Sequence, residues 1–135
     1  MTTSVDSSVL LDLLTGDDRF AEAAIRSLRA GRARGRLLVN ELVVAEVRPA
    51  LNSDSELEEF LSDLGLDFES LSYEDAVLAG SMYRSYLGNR GAAKRVLPDF
   101  LIGAQACRQG FSLLARDRGY YRQYFQGLTL IEPGI

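Results

Sequence analysis

Four acidic residues stand where apolar stretches of this chain begin, end or are interrupted. They are Asp6, Glu46, Asp99 and Asp117. In an open parallel α/β sheet, the carboxyl ends of the strands share one edge, and ligands bind there. Acids that are distant in sequence are therefore expected to meet in one pocket. Because like charges packed together repel, such a pocket favours a hard divalent cation, Mg²⁺ or Mn²⁺, and phosphodiester hydrolysis is the chemistry predicted for it.

The residue types that the chain lacks narrow this chemistry further. The 135 residues include no histidine, which removes the commonest general base, every Ser–His or Cys–His pair and most zinc sites. The single cysteine, Cys107, lies in an apolar run and is expected to be a small buried hydrophobe. Carboxylates, hydroxyls, guanidinium groups and one lysine, Lys94, remain. Oxygen-rich sites of this kind suit Mg²⁺ or Mn²⁺.

Three of the four acids also have a purely structural explanation. Asp6 is placed to cap the first predicted helix, and Asp99 to offset the dipole of another. Asp117 lies in a stretch typical of a turn. Glu46 is harder to explain in this way, because its neighbours are apolar and glutamate is rarely buried without a partner. We expect Glu46 to face a pocket or a basic partner, whereas Glu41 can remain solvated.

Short strand patterns alternate with longer helical patterns along the chain. Strands are predicted at 2–5, 36–39, 67–71, 111–114 and 128–131. Helices are predicted at 7–14, 17–30, 41–52, 55–65, 72–88, 99–109 and 120–125. The expected helix caps and breaks are Asn40, Pro49, Ser55 with Glu58, Ser72 with Asp75, and Gly110. This alternation predicts a three-layer, doubly wound α/β fold with a mostly parallel five-stranded sheet, in one domain over residues 1–135.

Four segments of the chain resemble the acidic motifs of PIN-domain ribonucleases, and most of all those of VapC-type toxins. The segments are VDSSVLLDLL, NELVVAEV, LPDFLIGAQA and LLARDRGYY. The resemblance implies a PIN-like fold in which Asp6, Glu46, Asp99 and Asp117 are catalytic and bind the metal. Ser8 matches a small hydroxyl residue that often follows the first acid. Ala115 departs from the pattern, because a threonine or serine usually stands two positions before the last acid.

The resemblance also implies a function and partners. It predicts an Mg²⁺- or Mn²⁺-dependent endoribonuclease, the toxin of a toxin–antitoxin pair, that forms a homodimer and is silenced by an antitoxin protein. The apolar faces of the first two predicted helices are candidates for the antitoxin groove, although core burial explains the same residues. No apolar run approaches the roughly 20 residues of a membrane span. The first residues lack a basic leader, so a cytoplasmic location without membrane attachment is expected.

Basic side chains are needed to bring RNA, a polyanion, to an acidic pocket. The residues predicted to contact RNA are Ser8, Arg90, Lys94, Arg95, Arg116 and Arg118. A second cluster of arginines, at 26–36, is explained equally well by RNA binding and by solvation or pairing with acids. The tyrosines at 120, 121 and 124 fit base stacking, but a short amphipathic helix packed on the core explains them as well.

Other functions compete with the nuclease hypothesis. The net charge of −4 argues against a general nucleic-acid binder, which is usually basic. A phospho-acceptor receiver domain needs adjacent acids after the first strand and a lysine late in the chain, whereas Asp6 is followed by two serines. A haloacid-type phosphatase needs an acid at the position of Ser8. A catalytically inactive PIN-like module that binds RNA or protein remains the main alternative.

Overall fold

Five strands form one sheet in the computed structural model, which describes residues 1–90, 96–116 and 119–134. The strands are β1 Thr2–Val5, β2 Arg36–Val39, β3 Leu66–Phe68, β4 Ser112–Leu114 and β5 Thr129–Ile131. Their order in the sheet is β3-β2-β1-β4-β5, and every neighbouring pair is parallel. The predicted α/β fold with a five-stranded sheet is therefore confirmed, and the sheet is parallel throughout.

The helices of the described residues lie between these strands. They are α1 Ser7–Thr15, α2 Asp18–Arg34, α3 Glu41–Val47, α4 Asp54–Asp63, α5 Tyr73–Arg90, α6 Leu97–Gln109 and α7 Tyr120–Tyr124. A short 3₁₀ turn, Arg48–Ala50, follows α3 and contains Pro49, which ends the α-helix as predicted. Within the described ranges, we find no helix with the length and apolar character needed to cross a membrane.

Most of the predicted caps are present. The Asn40 side chain accepts hydrogen bonds from the first amides of α3. Ser72 and Asp75 form a reciprocal capping box, in which each side chain accepts a hydrogen bond from the other residue's backbone amide. Gly110 has a positive φ of 74° and ends α6 in the left-handed conformation that favours glycine. The cap of α4 was predicted two residues too late, because Ser53, not Ser55, accepts from the Glu56 amide.

Two other boundaries differ from the prediction because of tertiary contacts. Helix α2 continues to Arg34, through the buried Gly31, which lies close to the Leu37 side chain of β2. Strand β3 is Leu66–Phe68 and does not continue to residue 71. The carbonyl of Glu69 accepts a hydrogen bond from the Gln105 side chain instead of continuing a strand ladder.

The core lies against β1, β2 and β4, whose apolar side chains are almost completely buried. A cluster of aromatic rings adjoins it where α5, α6 and α7 meet. The cluster comprises Tyr83, Tyr86, Phe100, Tyr120, Tyr124 and Phe125. Helix α7 therefore packs on the core through its tyrosines, and Tyr121 is 2% exposed. Cys107 is half-buried rather than fully buried.

Candidate active site

The strand order creates a switch point at the centre of the sheet. From β1, the chain proceeds outward to β2 and β3 on one side, while β4 and β5 lie on the other. The carboxyl ends of β1 and β4 therefore border the crevice where ligands bind in folds of this type. Asp6 directly follows β1, and its amide donates a hydrogen bond of 2.9 Å to the Leu114 carbonyl at the end of β4. Asp6 is 5% exposed, so this strand end holds a buried acid at the crevice.

A serine hydroxyl fixes the carboxylate of Asp6. Asp6 occupies the N-cap position of α1, but its side chain makes no capping hydrogen bond to that helix. The Ser8 hydroxyl donates to Asp6 Oδ2 over 2.5 Å and accepts from the Arg116 amide over 3.3 Å. Ser8 therefore connects the residues that follow β1 with those that follow β4. The capping explanation of Asp6 is not supported.

Glu46 reaches the same edge through α3. The Ser7 hydroxyl, one residue after Asp6, donates a hydrogen bond of 3.0 Å to Glu46 Oε1. Helices α1 and α3 pack together, which brings the two acids to neighbouring positions. Glu46 is exposed, although its apolar neighbours in the sequence favoured a more enclosed side chain. Its carboxylate is accessible to a ligand while Ser7 restrains it.

Asp99 lies in the first turn of α6, directly after Pro98, and is half-buried. Gln105, six positions later, fixes the placement of this helix. Its side-chain carbonyl accepts a hydrogen bond of 2.9 Å from Asn40, which follows β2, and its amide group donates to the carbonyls of Glu69 and Ser70. Asn40 and Gln105 are both completely buried. Helix α6 is thus attached to the carboxyl edge of β2, with Asp99 about 1.7 turns before Gln105 along the helix.

The carboxylates of the described acids are ligands of the kind that a hard cation prefers. The described acids alone do not form a complete metal site. All of the candidate ligands are carboxylates, with serine hydroxyls beside two of them, and this donor set suits Mg²⁺ or Mn²⁺. Within residues 1–90, 96–116 and 119–134, no three acidic or cysteine side chains are close enough together to hold a metal ion. The fourth predicted ligand, Asp117, lies outside the described residues.

Arg116, predicted to contact RNA, packs against Asp12 and Phe20 in the structure. Its Nε donates a hydrogen bond to the Asp12 carboxylate of α1 in a short ion pair, and its guanidinium lies 4.8 Å from the centre of the Phe20 ring of α2. The side chains of Arg116 and Asp12 are 25% and 22% exposed. Ser8, also predicted to contact RNA, bonds to Asp6. The remaining predicted RNA contacts, at 94, 95 and 118 and the side chain at 90, lie outside the described residues.

The second arginine cluster is partly engaged with neighbouring groups. Arg36 makes ion pairs of 2.8 Å with Asp67 and 3.0 Å with Glu69, and these bonds raise the pKa of Arg36. Arg26 approaches Glu22 at 4.0 Å, and Arg32 donates to the carbonyl before Gly65. Pairing therefore accounts for part of this cluster, while Arg29 and Arg34 are exposed.

Glu41 was expected to remain solvated, but its carboxylate is hydrogen-bonded to protein. Its carboxylate accepts hydrogen bonds of 2.6 Å from the Ser70 hydroxyl and 2.7 Å from the Leu71 amide. Burial raises the pKa of Glu41, but these hydrogen bonds outweigh burial, so that the pKa lies below its ordinary value. Glu41 therefore fastens the start of α3 to the segment that follows β3.

Several residues that shape the site were not predicted from the sequence. Ser7, Asp12, Phe20 and Gln105 act through contacts between distant segments. Asp12 and Gln105 each interrupt an apolar helical stretch. This is the same signal that drew attention to Glu46, and it would have identified both residues as partners of something buried. No signal in the sequence distinguishes Ser7 or Phe20 from ordinary helix residues.

A parallel α/β sheet with acids at its switch point belongs to the class of domains that bind ligands at the strand ends. The sequence model of the PIN domain matches residues 4–126. The chain therefore belongs to the PIN domain family, a family of nucleases, as the four acidic motifs indicated. A search of curated protein sequences returned no match.

Several solved structures share the fold of this chain. A chain of VapBC2 from Rickettsia felis, bound to a promoter DNA fragment, has a TM-score of 0.71 and 14% identity, with 98% of each chain covered. A toxin–antitoxin complex from Klebsiella pneumoniae gives 0.70 and 19%, with 98% of each chain covered. VapC20 from Mycobacterium tuberculosis, a toxin that cleaves the sarcin–ricin loop, gives 0.61 and 16%, covering 94% of this chain and 98% of its own. At these sequence identities, the structural similarity shows a shared fold only.

Proposed function

We propose that this protein is a metal-dependent endoribonuclease and the toxin of a toxin–antitoxin pair. The observation that carries the proposal is a buried acid, Asp6, at the switch point of a PIN domain sheet, with Glu46 held beside it through Ser7. A buried carboxylate at a ligand-binding edge is costly unless it serves a ligand or a partner. RNA hydrolysis gives this arrangement of acids a purpose.

The proposed ligands of the cation are Asp6, Glu46, Asp99 and Asp117. A bound Mg²⁺ or Mn²⁺ would supply Lewis acidity and offset the negative charge that develops on the phosphate oxygens. The chain's own contribution is to hold the carboxylates in place before the substrate arrives. Ser8 directs Asp6 and Ser7 restrains Glu46, while the Asn40–Gln105 hydrogen bond fixes the helix that carries Asp99. With no histidine in the sequence, proton transfer falls to water and the carboxylates.

An antitoxin protein and a second copy of the chain are the proposed partners. Several structures of similar fold are of toxin–antitoxin complexes. A groove of about 440 Å³ between α2 and the end of α4 offers a surface for the antitoxin. The groove is lined by Ile25, Leu28, Arg29, Arg32, Ala33, Asp63 and Leu64. Its apolar floor and two arginines suit an amphipathic segment that carries acidic residues.

The test is RNA cleavage by purified protein with Mn²⁺ or with a chelator, using structured RNAs. Asp6→Asn and Asp99→Asn are expected to lower the cleavage rate by at least roughly a hundredfold, because even groups that only orient metal ligands contribute roughly ten- to a hundredfold. Because empty carboxylates repel one another, the Tm of each metal-free variant should be unchanged or higher. Glu58→Gln, an exposed acid on α4, is the matched control and should cleave like the wild type. Equal cleavage by wild type and Asp99→Asn would indicate contamination and would remove the proposal.

The main alternative is an inactive PIN-like module, which Ala115 in the last motif favours. Calorimetric titration with Mn²⁺ and with RNA separates the two. Binding of RNA without any cleavage in the presence of Mn²⁺ would support the module. Binding of Mn²⁺ that Asp6→Asn removes, together with cleavage, would support the enzyme.

A further inference from the structure

We propose that Arg116 is a positioning residue for Asp6 and not an RNA contact, an inference that rests on the proposed nuclease function. The guanidinium of Arg116 anchors the segment after β4 to α1 and α2. Its backbone amide then holds Ser8, and Ser8 directs the Asp6 carboxylate. Residues 108 positions apart in the chain, Ser8 and Arg116, are joined in this way.

The side chain of Arg116 is committed to protein partners. Nε donates to Asp12 Oδ2 in the ion pair, and the guanidinium carbon lies over the Phe20 ring, 4.8 Å from its centre. Arginine binds phosphate through several N–H groups presented together in one plane. With Nε engaged, the guanidinium carbon against the Phe20 ring and the side chain only 25% exposed, little of that surface remains for a phosphate. A structural role accounts for these contacts better than RNA binding does.

The backbone of Arg116 continues the connection to the acid. Its amide donates to the Ser8 hydroxyl over 3.3 Å, and the same hydroxyl donates its proton to Asp6 Oδ2 over 2.5 Å. A hydroxyl has one proton to donate and can accept at the same time. The amide donates to the oxygen of the hydroxyl, so the single hydroxyl proton remains available for the carboxylate. The orientation of Asp6 therefore depends on where residue 116 is held.

The anchor of this connection lies on α1 and α2, at residues that are not proposed metal ligands. Asp12 belongs to α1 and Phe20 to α2, and these helices pack together. A change in either contact would release residue 116 without removing any proposed metal ligand. Groups that orient metal ligands in this way commonly contribute roughly ten- to a hundredfold to metal affinity or activity. The same magnitude is expected for Arg116.

The test uses Arg116→Gln and Asp12→Asn, with Arg108→Gln as the matched control. Arg108 forms a comparable ion pair with Asp75 at the other end of α6. Arg116→Gln and Asp12→Asn should each weaken Mn²⁺ binding roughly tenfold and lower kcat, with KM for RNA unchanged. Arg108→Gln should leave Mn²⁺ affinity unchanged. In a Ser8→Ala background, Arg116→Gln should cause little further loss, because both act through the same connection.

Two outcomes would overturn the inference. The first is a rise in KM with unchanged Mn²⁺ affinity and a smaller salt dependence of RNA binding, which would identify Arg116 as a phosphate contact. The second concerns the metal-free protein, where hydrogen exchange of the residue 116 amide should be slow in the wild type and faster in Asp12→Asn. Equal exchange in both would disprove the anchor. Wild-type protein that neither binds Mn²⁺ nor cleaves RNA would refute the proposed function, while the exchange experiment would still judge the anchor itself.

Discussion

Two regions hold the carboxyl edge of the sheet in place, and they differ in burial. The first, here called the α6 anchor, consists of Asn40, Gln105, Asp75 and Arg108. The second, here called the β4 corner, consists of Ser8, Asp12, Phe20 and Arg116. Three of the four anchor side chains are completely buried, whereas the ion pair of the corner is between 22% and 25% exposed.

The ion pairs of the two regions are similar in kind, but we expect them to serve different purposes. The ion pair of the anchor joins two helices that bear no proposed metal ligand at that end, and Asp75 also caps α5. The ion pair of the corner adjoins the hydroxyl that directs Asp6. We therefore expect substitutions in the ion pair of the anchor to change mainly the free energy of unfolding, and substitutions in the ion pair of the corner to change mainly the site.

The largest effect is expected at Asn40. Replacement by alanine removes the cap of α3 and leaves the buried Gln105 carbonyl without its donor, which should lower the free energy of unfolding by roughly 2–4 kcal/mol. Asn40→Ser keeps a capping hydroxyl and should lose only about half as much. Urea denaturation of both variants measures the difference. Equal losses would mean that the cap contributes nothing, whereas an Asn40→Ser variant as stable as the wild type would mean that the bond to Gln105 contributes nothing.

The second-largest loss in the free energy of unfolding is expected for Asp75→Asn. The substitution removes the charge from a completely buried carboxylate that accepts from the Ser72 amide and from Arg108 over 2.6 Å. Hydrogen bonds to charged groups contribute about 1.5–3 kcal/mol, and Arg108 is 38% exposed, so a loss of about 2 kcal/mol is expected. Mn²⁺ affinity should not change. A change in metal affinity as large as that of a corner variant would break the distinction between the two regions.

The contribution of Asp75 should depend on pH. Burial raises its pKa, but the hydrogen bonds from Ser72 and Arg108 outweigh burial and hold the pKa below the ordinary value of 3.8. The unfolded chain therefore binds this proton more readily, so the stabilisation is fully present above about pH 4 and is lost as the pH falls through the folded-state pKa. The free energies of unfolding of the wild type and Asp75→Asn should differ by the same amount at pH 5 and at pH 7. This difference should shrink in stronger acid. A difference that grows on acidification would contradict this.

The smallest effect on stability is expected for Asp12→Asn. A partly exposed ion pair contributes up to about 1 kcal/mol, so the Tm should fall only slightly. Measuring the stability and the Mn²⁺ affinity of this variant beside those of Asp75→Asn tests whether the two regions differ in function. The corner variant should lose more affinity than stability, and the anchor variant the reverse. A loss of several kcal/mol from Asp12→Asn would assign the corner to the scaffold.

Local patterns in the sequence were sufficient to predict the sheet, most caps and the parallel arrangement. The boundaries that failed depend on contacts with distant residues. Strand β3 ends early because Gln105 and Glu41 bind the segment that follows it, and neither bond is visible in the local sequence. The α4 cap had two overlapping Ser-x-x-Glu patterns, and Ser53 forms the cap because Glu56 also accepts from the Asn52 amide.

The site was predictable as a set of acids but not as an arrangement. Asp6 and Glu46 were recognisable from their positions, and the structure connects them through Ser7. The use of Arg116 was not predictable, because its partners Asp12 and Phe20 come from helices more than ninety positions earlier. An arginine beside a predicted metal ligand fits RNA binding and internal pairing equally well until its neighbours are known.

The central place of β1 has a consequence for the order in which the protein is made. The strand that carries Asp6 leaves the ribosome before the other four, and β2 can pair with it early in synthesis. Its other neighbour, β4, follows only after the two long helices α5 and α6. Until that segment emerges, the crevice beside Asp6 has a single wall. Under the proposed nuclease function, a nascent chain is therefore expected to leave the RNA that is being translated intact until nearly every part of the fold has been synthesised.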